Sequence, residues 1–448
     1  MTALDLSLIP PLGEPRPQPV PEVTETVLPS GLRVVVVPRP GVPLVELRLR
    51  VPFAAAAASE AQAHTARAAV LSGAVLLGTS RHDQTEIAQL LQGHGADLSV
   101  STDPDRLLFS TTLLPGGLRP VLELLAELLT DATYPDDRVE GERGRVAERI
   151  AIARSQPGVI ASTALAARRY GEHPYAVQLP LVELVEQVEA PALRALHHDR
   201  VLPAGSSMVL VGDLDPAAAT DAVAAALAGW TASGAAVSAP PVQLRPPGPV
   251  QLVDRTGAVQ SNIRLGGPAP ARTDPALPAL RLANMAFGGY FSSRLVENIR
   301  ERRGYSYSPR SGVDHLAASS SVLVEADVAT EVTGPALLEI GYELGRTALL
   351  PIEEAELEAA RRYVLGSMAL STATHAGLAS TLSALIGSGL PAGWLAEHQR
   401  ALAAVSADEV TEAARRFLQP AALTAVVVGD AGRVAEPLRA LGAVEVGS

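Results

Sequence analysis

Apolar positions recur along this chain with two distinct periods. GLRVVVVPRP (31–40) and LVELRLRVPF (44–53) carry short apolar runs rich in Val and Leu and read as paired strands. Residues 60–77 carry helical spacing, and so does DQTEIAQLLQGHG (83–95), where Thr85 is the candidate cap and Gly93 or Gly95 the stop. ADLSVSTDPDRLLFSTTLL (96–114) predicts two strands around a turn. GLRPVLELLAELLTDA (117–132) and DRVEGERGRVAERIAIARS (137–155) predict two further helices, the first strongly amphipathic. QLVDR (251–255) and QSNIRLGGPA (260–269) begin a similar order of strands, followed by PALRLANMAFGG (278–289) and SSRLVENIRERRG (292–304) as helices. Strands that come in hairpins with helices grouped between them predict an α+β fold, with mostly antiparallel sheets covered by helices.

Two stretches resemble each other. SSMVLVGDLDP (206–216) and LTAVVVGDAGR (423–433) each give an apolar strand ending in Gly-Asp, and the two pairs lie 217 residues apart. A repeat that long predicts two homologous domains, since solenoid periods run to only about 50 residues. The Pro/Gly/Ser-rich stretch TASGAAVSAPPVQLRPPGPV between them reads as a linker. The expected division is a Pro-rich arm over 1–22, a first domain over 23–230, a linker over 231–248 and a second domain over 249–448.

Composition narrows the function. The 448 residues are 47% hydrophobic and only 3% aromatic, enough for a sizeable core. A net charge of −12 argues against a nucleic-acid partner. The absence of Cys excludes disulfides, thiolate metal sites and Cys nucleophiles. The first twenty residues lack the basic start and apolar stretch of a signal peptide. The Ala-rich run 53–77 is broken by Glu60, His64 and Arg67, so no membrane span is expected. These features suit a cytoplasmic protein.

Few residues offer chemistry. None of the nine His are spaced i, i+4, so no helical pair can grip a metal from one face. His197 and His198 are adjacent and would point to different sides of a helix. Neither a G-x-S-x-G elbow nor a G-x-x-x-x-G-K loop occurs. The distinctive stretch is FGGYFSSRLVENIRERRGYSYSPRSG (287–312), with a Gly pair, a helix closed by Gly304, and then Tyr305 and Tyr307 expected on one face of a strand.

That stretch resembles the C-terminal signature of the pitrilysin/insulinase peptidase family, in its processing-peptidase branch. LPSGLRVVVVPRP (28–40), VLLGT (75–79), GEHPYA (171–176) and LPAGSSMVLVGDLDP (202–216) also resemble it, in order and at family-like intervals. The resemblance implies two α+β domains forming half of a clamshell that closes over an unfolded peptide. In the family, zinc is held by H-x-x-E-H, whose first His stands nine residues before a Gly-Thr pair, and by a Glu about seventy residues on. Counted back from Gly78, the five motif positions are Ala69, Val70, Leu71, Ser72 and Gly73, and the later ligand falls on Arg149 or, in the neighbouring register, Glu148. The resemblance thus implies a chain with no zinc or other cofactor of its own.

The family's other half-site is an Arg/Tyr pair seven residues apart, present here as Arg300 and Tyr307. Some bacterial members divide the labour between a zinc-bearing subunit and one carrying Arg/Tyr. The resemblance therefore implies a non-zinc subunit that supplies Arg300 and Tyr307 to a homologous H-x-x-E-H partner for peptide hydrolysis. It also implies an edge strand, Leu98, Ser99, Val100 and Ser101, that binds peptide substrates through backbone hydrogen bonds. The alternative is an inactive peptide-binding or scaffold homologue forming a homodimer.

Overall fold

The computed structural model describes residues 22–231 and 234–447. The proposed Pro-rich arm, apart from Glu22, lies outside them. Two six-stranded sheets organise the chain. The first contains β1 (Thr24–Val27), β2 (Arg33–Pro38), β3 (Val45–Pro52), β4 (Asp97–Asp103), β5 (Arg106–Leu113) and β6 (Ser207–Gly212), in the order β1-β2-β6-β3-β5-β4. The second contains β7 (Val250–Asp254), β8 (Gln260–Pro268), β9 (Arg310–His315), β10 (Ser320–Ala329), β11 (Thr424–Gly429) and β12 (Val444–Gly447), in the order β12-β7-β11-β8-β10-β9. Both are mixed but mostly antiparallel, and the orders superpose strand for strand from β2/β7 to β4/β9. The fold is α+β with two sheets of one design.

The sequence patterns place most elements correctly, with three corrections. The first two Val-rich runs are not paired with each other. β6 lies between them, parallel to β2 and antiparallel to β3. All six β6 residues are buried, as expected for a central strand covered on both faces. The cap of the helix Gln84–Gly93 is Asp83, not Thr85: its carboxylate accepts from the N–H groups of Thr85 and Glu86, and Glu86 reaches back to complete a capping box. The third correction, at Tyr305, belongs to the site below.

The repeated Gly-Asp has a packing cause. A Cβ on Gly212 would collide with the Leu44 carbonyl oxygen, and one on Gly429 would meet the Ser261 hydroxyl. At both strand ends the chain passes too close to a neighbour for a side chain.

Each sheet is covered on one face by helices of its own half, and across the other runs one helix from the opposite half. Helix Pro157–Tyr170 crosses β8 and β11, while helix His375–Gly387 crosses β3 and β6. Beneath the second, Val35, Val37, Val209 and Val211 pack on Leu378, Ala379, Leu382 and Ile386. Fully burying side chains of this size contributes about 1.5–3 kcal/mol each, so this exchange ties the halves together. Polar contacts add to the tie, since buried Asp105 accepts from the Tyr175 hydroxyl and from the Ala317 N–H across the seam. Among the described residues, no helix is long and apolar enough to cross a membrane.

His197 and His198 do diverge. His198 is exposed, whereas His197 is buried between the Tyr134 hydroxyl at 2.6 Å and the Leu129 carbonyl at 2.9 Å. His64 is similarly buried, 2.7 Å from the Phe53 carbonyl. Burial lowers both pKa values below the ordinary imidazole range. Between the folded and unfolded pKa values the unfolded chain binds more protons, so stability is complete above about pH 6.5 and is lost as the pH falls below it. The urea midpoint is therefore expected to drop between pH 7 and pH 5, and to drop less in His197→Asn. An equal drop in both proteins would assign the acid sensitivity elsewhere.

Candidate functional site

The place where the family motif would hold metal is at the end of helix Ala58–Ala74. The Ser72 hydroxyl is engaged with the Ala69 carbonyl at 3.0 Å. Gly73 faces helix Asp136–Ser155, and a Cβ there would collide with the carboxylate of Glu142. Glu142 is buried and accepts from Arg145 at 3.0 and 2.5 Å. Glu148 and Arg149, the two positions weighed for the later ligand, are both exposed. The residue that reaches the motif is thus Glu142, which fills the space a side chain at position 73 would need. These residues do not fit a zinc ion: the Glu142 carboxylate is engaged by Arg145, the motif positions are Ala69, Ser72 and Gly73, and among the described residues no group of three His, Cys, Asp or Glu could hold a metal.

Gly78-Thr79, the pair that anchors the register, has a local role. The Thr79 hydroxyl donates to buried Glu127 at 3.1 Å, and Glu127 also meets His82 at 2.9 Å and Arg81 at 2.5 Å. This network fixes the loop after the helix.

The second half-site is built on an irregular helix. Helix Leu277–Asn284 widens into a π-turn over Met285–Gly289; a single α-turn, Arg294–Val296, then opens into a second π-turn, Glu297–Arg302. Such wide turns redirect side chains and recur at functional positions. Leu295 and Ile299 anchor the segment in the core. Arg294 is buried and forks onto Glu356 at 2.7 and 2.6 Å, while Asn298 donates to Glu339 and Glu343 at 2.9 Å each. Gly304, at φ +65°, closes the turn with its N–H on the Arg300 carbonyl, and the Tyr305 N–H reaches the Ile299 carbonyl.

The opposite face of this turn presents Arg300. Its guanidinium lies 4.5 Å from the centre of the Tyr307 ring and 5.0 Å from that of Phe291. Both distances suit cation–π contacts. Tyr307 is 79% exposed and Phe291 60% exposed. Arg300 also meets Glu301 at 3.1 Å. Tyr305 and Tyr307 do not share a strand face. β9 begins only at Arg310, and in the irregular, bent segment before it Tyr305 packs on the core while Tyr307 turns outward over Arg300. The sequence pattern gives no reason to single out Phe291. Its only signal is an aromatic ring beside a Gly pair in a chain poor in aromatics.

Among the described residues, β4 is the outer strand of its sheet, paired only with β5. Leu98 and Val100 face the core, and Ser99 and Ser101 are exposed. Its free edge therefore offers backbone donors and acceptors to an added strand.

Two family models match the chain, together spanning about two-thirds of it: Insulinase (Peptidase family M16) over residues 55–180, and Peptidase M16 inactive domain over 187–364. An uncharacterized zinc protease of Mycobacterium leprae is 28% identical over 354 residues, covering 78% of each chain. One of Bacillus subtilis is 22% identical, covering 66% of this chain and 71% of its own. The crystal structure of a peptidase M16 inactive domain from Pseudomonas fluorescens superposes with TM-score 0.83 at 24% identity, over 91% of this chain and 98% of that one. A protease from Helicobacter pylori gives 0.82 at 17%, over 92% and 100%. The chain belongs to the insulinase/pitrilysin (M16) peptidase family, as a member lacking the H-x-x-E-H zinc motif.

Proposed function

We propose that this chain is the non-zinc subunit of a heterodimeric metallopeptidase. It supplies Arg300 and Tyr307 to the zinc site of a homologous H-x-x-E-H partner, and its β4 edge guides an extended peptide. One observation carries the reading. The Arg300–Tyr307 pair is pre-assembled and turned outward, while in the same chain Glu142 fills the space beside Gly73 that a side chain at that motif position would need. A degenerate fold with no catalytic role has no need of a stacked, exposed Arg/Tyr pair.

The chemistry follows from placement. The partner's zinc would polarise the scissile carbonyl. The Tyr307 hydroxyl would donate to the oxygen as it gains charge, and Arg300 would hold the ring in line and hold a neighbouring peptide carbonyl. In the isolated chain the hydroxyl faces water, where a hydrogen bond contributes little net free energy. Only closure against a partner would remove that water and give the donor its value. An exposed aromatic pair around an arginine is also the composition expected at the centre of a protein interface.

The isolated chain is accordingly expected neither to bind zinc at one equivalent nor to cleave an unstructured peptide. Metal analysis after dialysis and a fluorogenic-peptide assay check both. Stoichiometric zinc with cleavage by the pure chain would overturn the proposal.

A further inference from the structure

A cleft of about 150 Å³ lies where the two halves of the chain meet. Helix Pro157–Tyr170, from the first half, forms one wall, and β8, β9 and β10, from the second, form the other. Arg169 of the helix and Arg264 of β8 both line it and are both buried. Each guanidinium lies where a glycine leaves room. A Cβ on Gly266 would stand 3.2 Å from Arg169 Nε and Nη1, and one on Gly158 would stand 3.0 Å from Arg264 Nη2. Arg169 Nη2 donates to the Gly267 carbonyl at 3.0 Å and to the Ser321 hydroxyl at 2.9 Å, while Arg264 Nη1 pairs with Asp327 at 2.7 Å.

The cleft carries both signs of charge. Asp314 lines it from β9, directly opposite Ser321 in the pairing of β9 with β10. Ser321 holds Arg169, so guanidinium and carboxylate belong to neighbouring positions of one surface. They do not meet. Asp314 is exposed and makes no ion pair among the described residues, and it acts on Arg169 only at longer range, behind burial and the adjacent Tyr170. One residue earlier on the same helix, Arg168 crosses between the halves and closes on Glu445 at 2.9 Å. At Arg169 the opposed charges instead stay apart across open space, with Leu165 and Leu323 adding apolar surface to the lining.

We infer that this cleft binds a free amino acid with a small aliphatic side chain, its carboxylate on Arg169 and its ammonium group on Asp314, bridging the two halves. A guanidinium matches the paired oxygens of an α-carboxylate. Arg264 adds positive charge to the lining, and Leu165 and Leu323 receive the aliphatic part. A cavity of about 150 Å³ is filled by a ligand the size of benzene, so the occupant has roughly six to eight non-hydrogen atoms, as alanine and valine do. None of the lining residues belongs to the Arg300–Tyr307 pair, so the site does not depend on the role proposed for that pair.

The test is calorimetric titration of the full chain with L-valine, sodium acetate and isobutylammonium chloride at pH 7 and constant ionic strength, with the thermal midpoint followed in parallel. Wild type is expected to bind L-valine saturably, and its thermal midpoint to rise as the site fills. Acetate and isobutylammonium each carry one of the two charges and are expected to bind at least about tenfold more weakly. Asp314→Asn removes an exposed carboxylate without an ion-pair partner, so it is expected to fold and to weaken L-valine binding about tenfold. Ser162→Phe, at an exposed position of the helix wall, fills the cleft and is expected to abolish binding. The inference is overturned if L-valine does not saturate wild type, if acetate binds as tightly as L-valine, or if both variants bind L-valine as wild type does.

Discussion

Tyr307→Phe is expected to lower kcat of the assembled peptidase by about 10²–10³-fold, the loss typical of removing one oxyanion donor. The ring is retained, so its contact with Arg300 at 4.5 Å persists and only the hydroxyl is lost. At 79% exposure the hydroxyl makes no contribution to the core, and the thermal midpoint of the isolated chain should not move. KM is expected to change little, because the hydroxyl acts as charge develops and not on substrate binding. Arg300→Ala should lower activity too, with a larger effect on KM, since it removes both a carbonyl contact and the group that orients Tyr307. Full activity in Tyr307→Phe would remove this residue from the chemistry.

The second large effect falls on stability. Arg294→Met should destabilise the chain by about 3 kcal/mol, the lower end of the cost of unpairing a buried ion pair, because the Glu356 carboxylate left behind is part-buried. Arg294 is 8% exposed in its side chain and Glu356 23%, and two hydrogen bonds at 2.7 and 2.6 Å join them. Domains are stable by only about 5–15 kcal/mol, so the variant should unfold well below wild type in urea. The double variant Arg294→Met with Glu356→Leu should recover most of the loss, because it removes both charges and fills their space. If the single variant unfolds with wild type, the pair does not hold the π-turn that carries Arg300.

The fold was largely legible because its signals are local. The all-apolar strand SMVLVG, its counterpart TAVVVG and the alternation in RLLFSTTL each report burial directly. What escaped is set by partners distant in sequence. Nothing in GLRVVVVPRP or LVELRLRVPF says that β6, about 160 residues later, inserts between them. The exchange of helices Pro157–Tyr170 and His375–Gly387 is hidden for the same reason. Thr85 was misread because Asp83, two residues earlier, competes for the same N–H groups and has a Glu three positions on to close the box.

The candidate site was legible in part. Residue identity alone marks positions 69, 72 and 73 as unable to hold zinc, and the seven-residue spacing marks Arg300 and Tyr307. Two features needed coordinates. Glu142 reaches Gly73 from another helix, and no spacing links them. Phe291 reaches Arg300 from the turn before Arg294–Val296, where no helical spacing relates the two residues.

The account stands most directly on a division of labour between two chains. The measurement that tests it is capture of the tagged chain from its native cell under gentle conditions, with identification of what accompanies it. The account predicts a near-stoichiometric homologue of similar length containing H-x-x-E-H, and a complex that cleaves peptides with one zinc per pair. Recovery of the chain alone, or only with copies of itself, would contradict it and favour a binding or scaffold role.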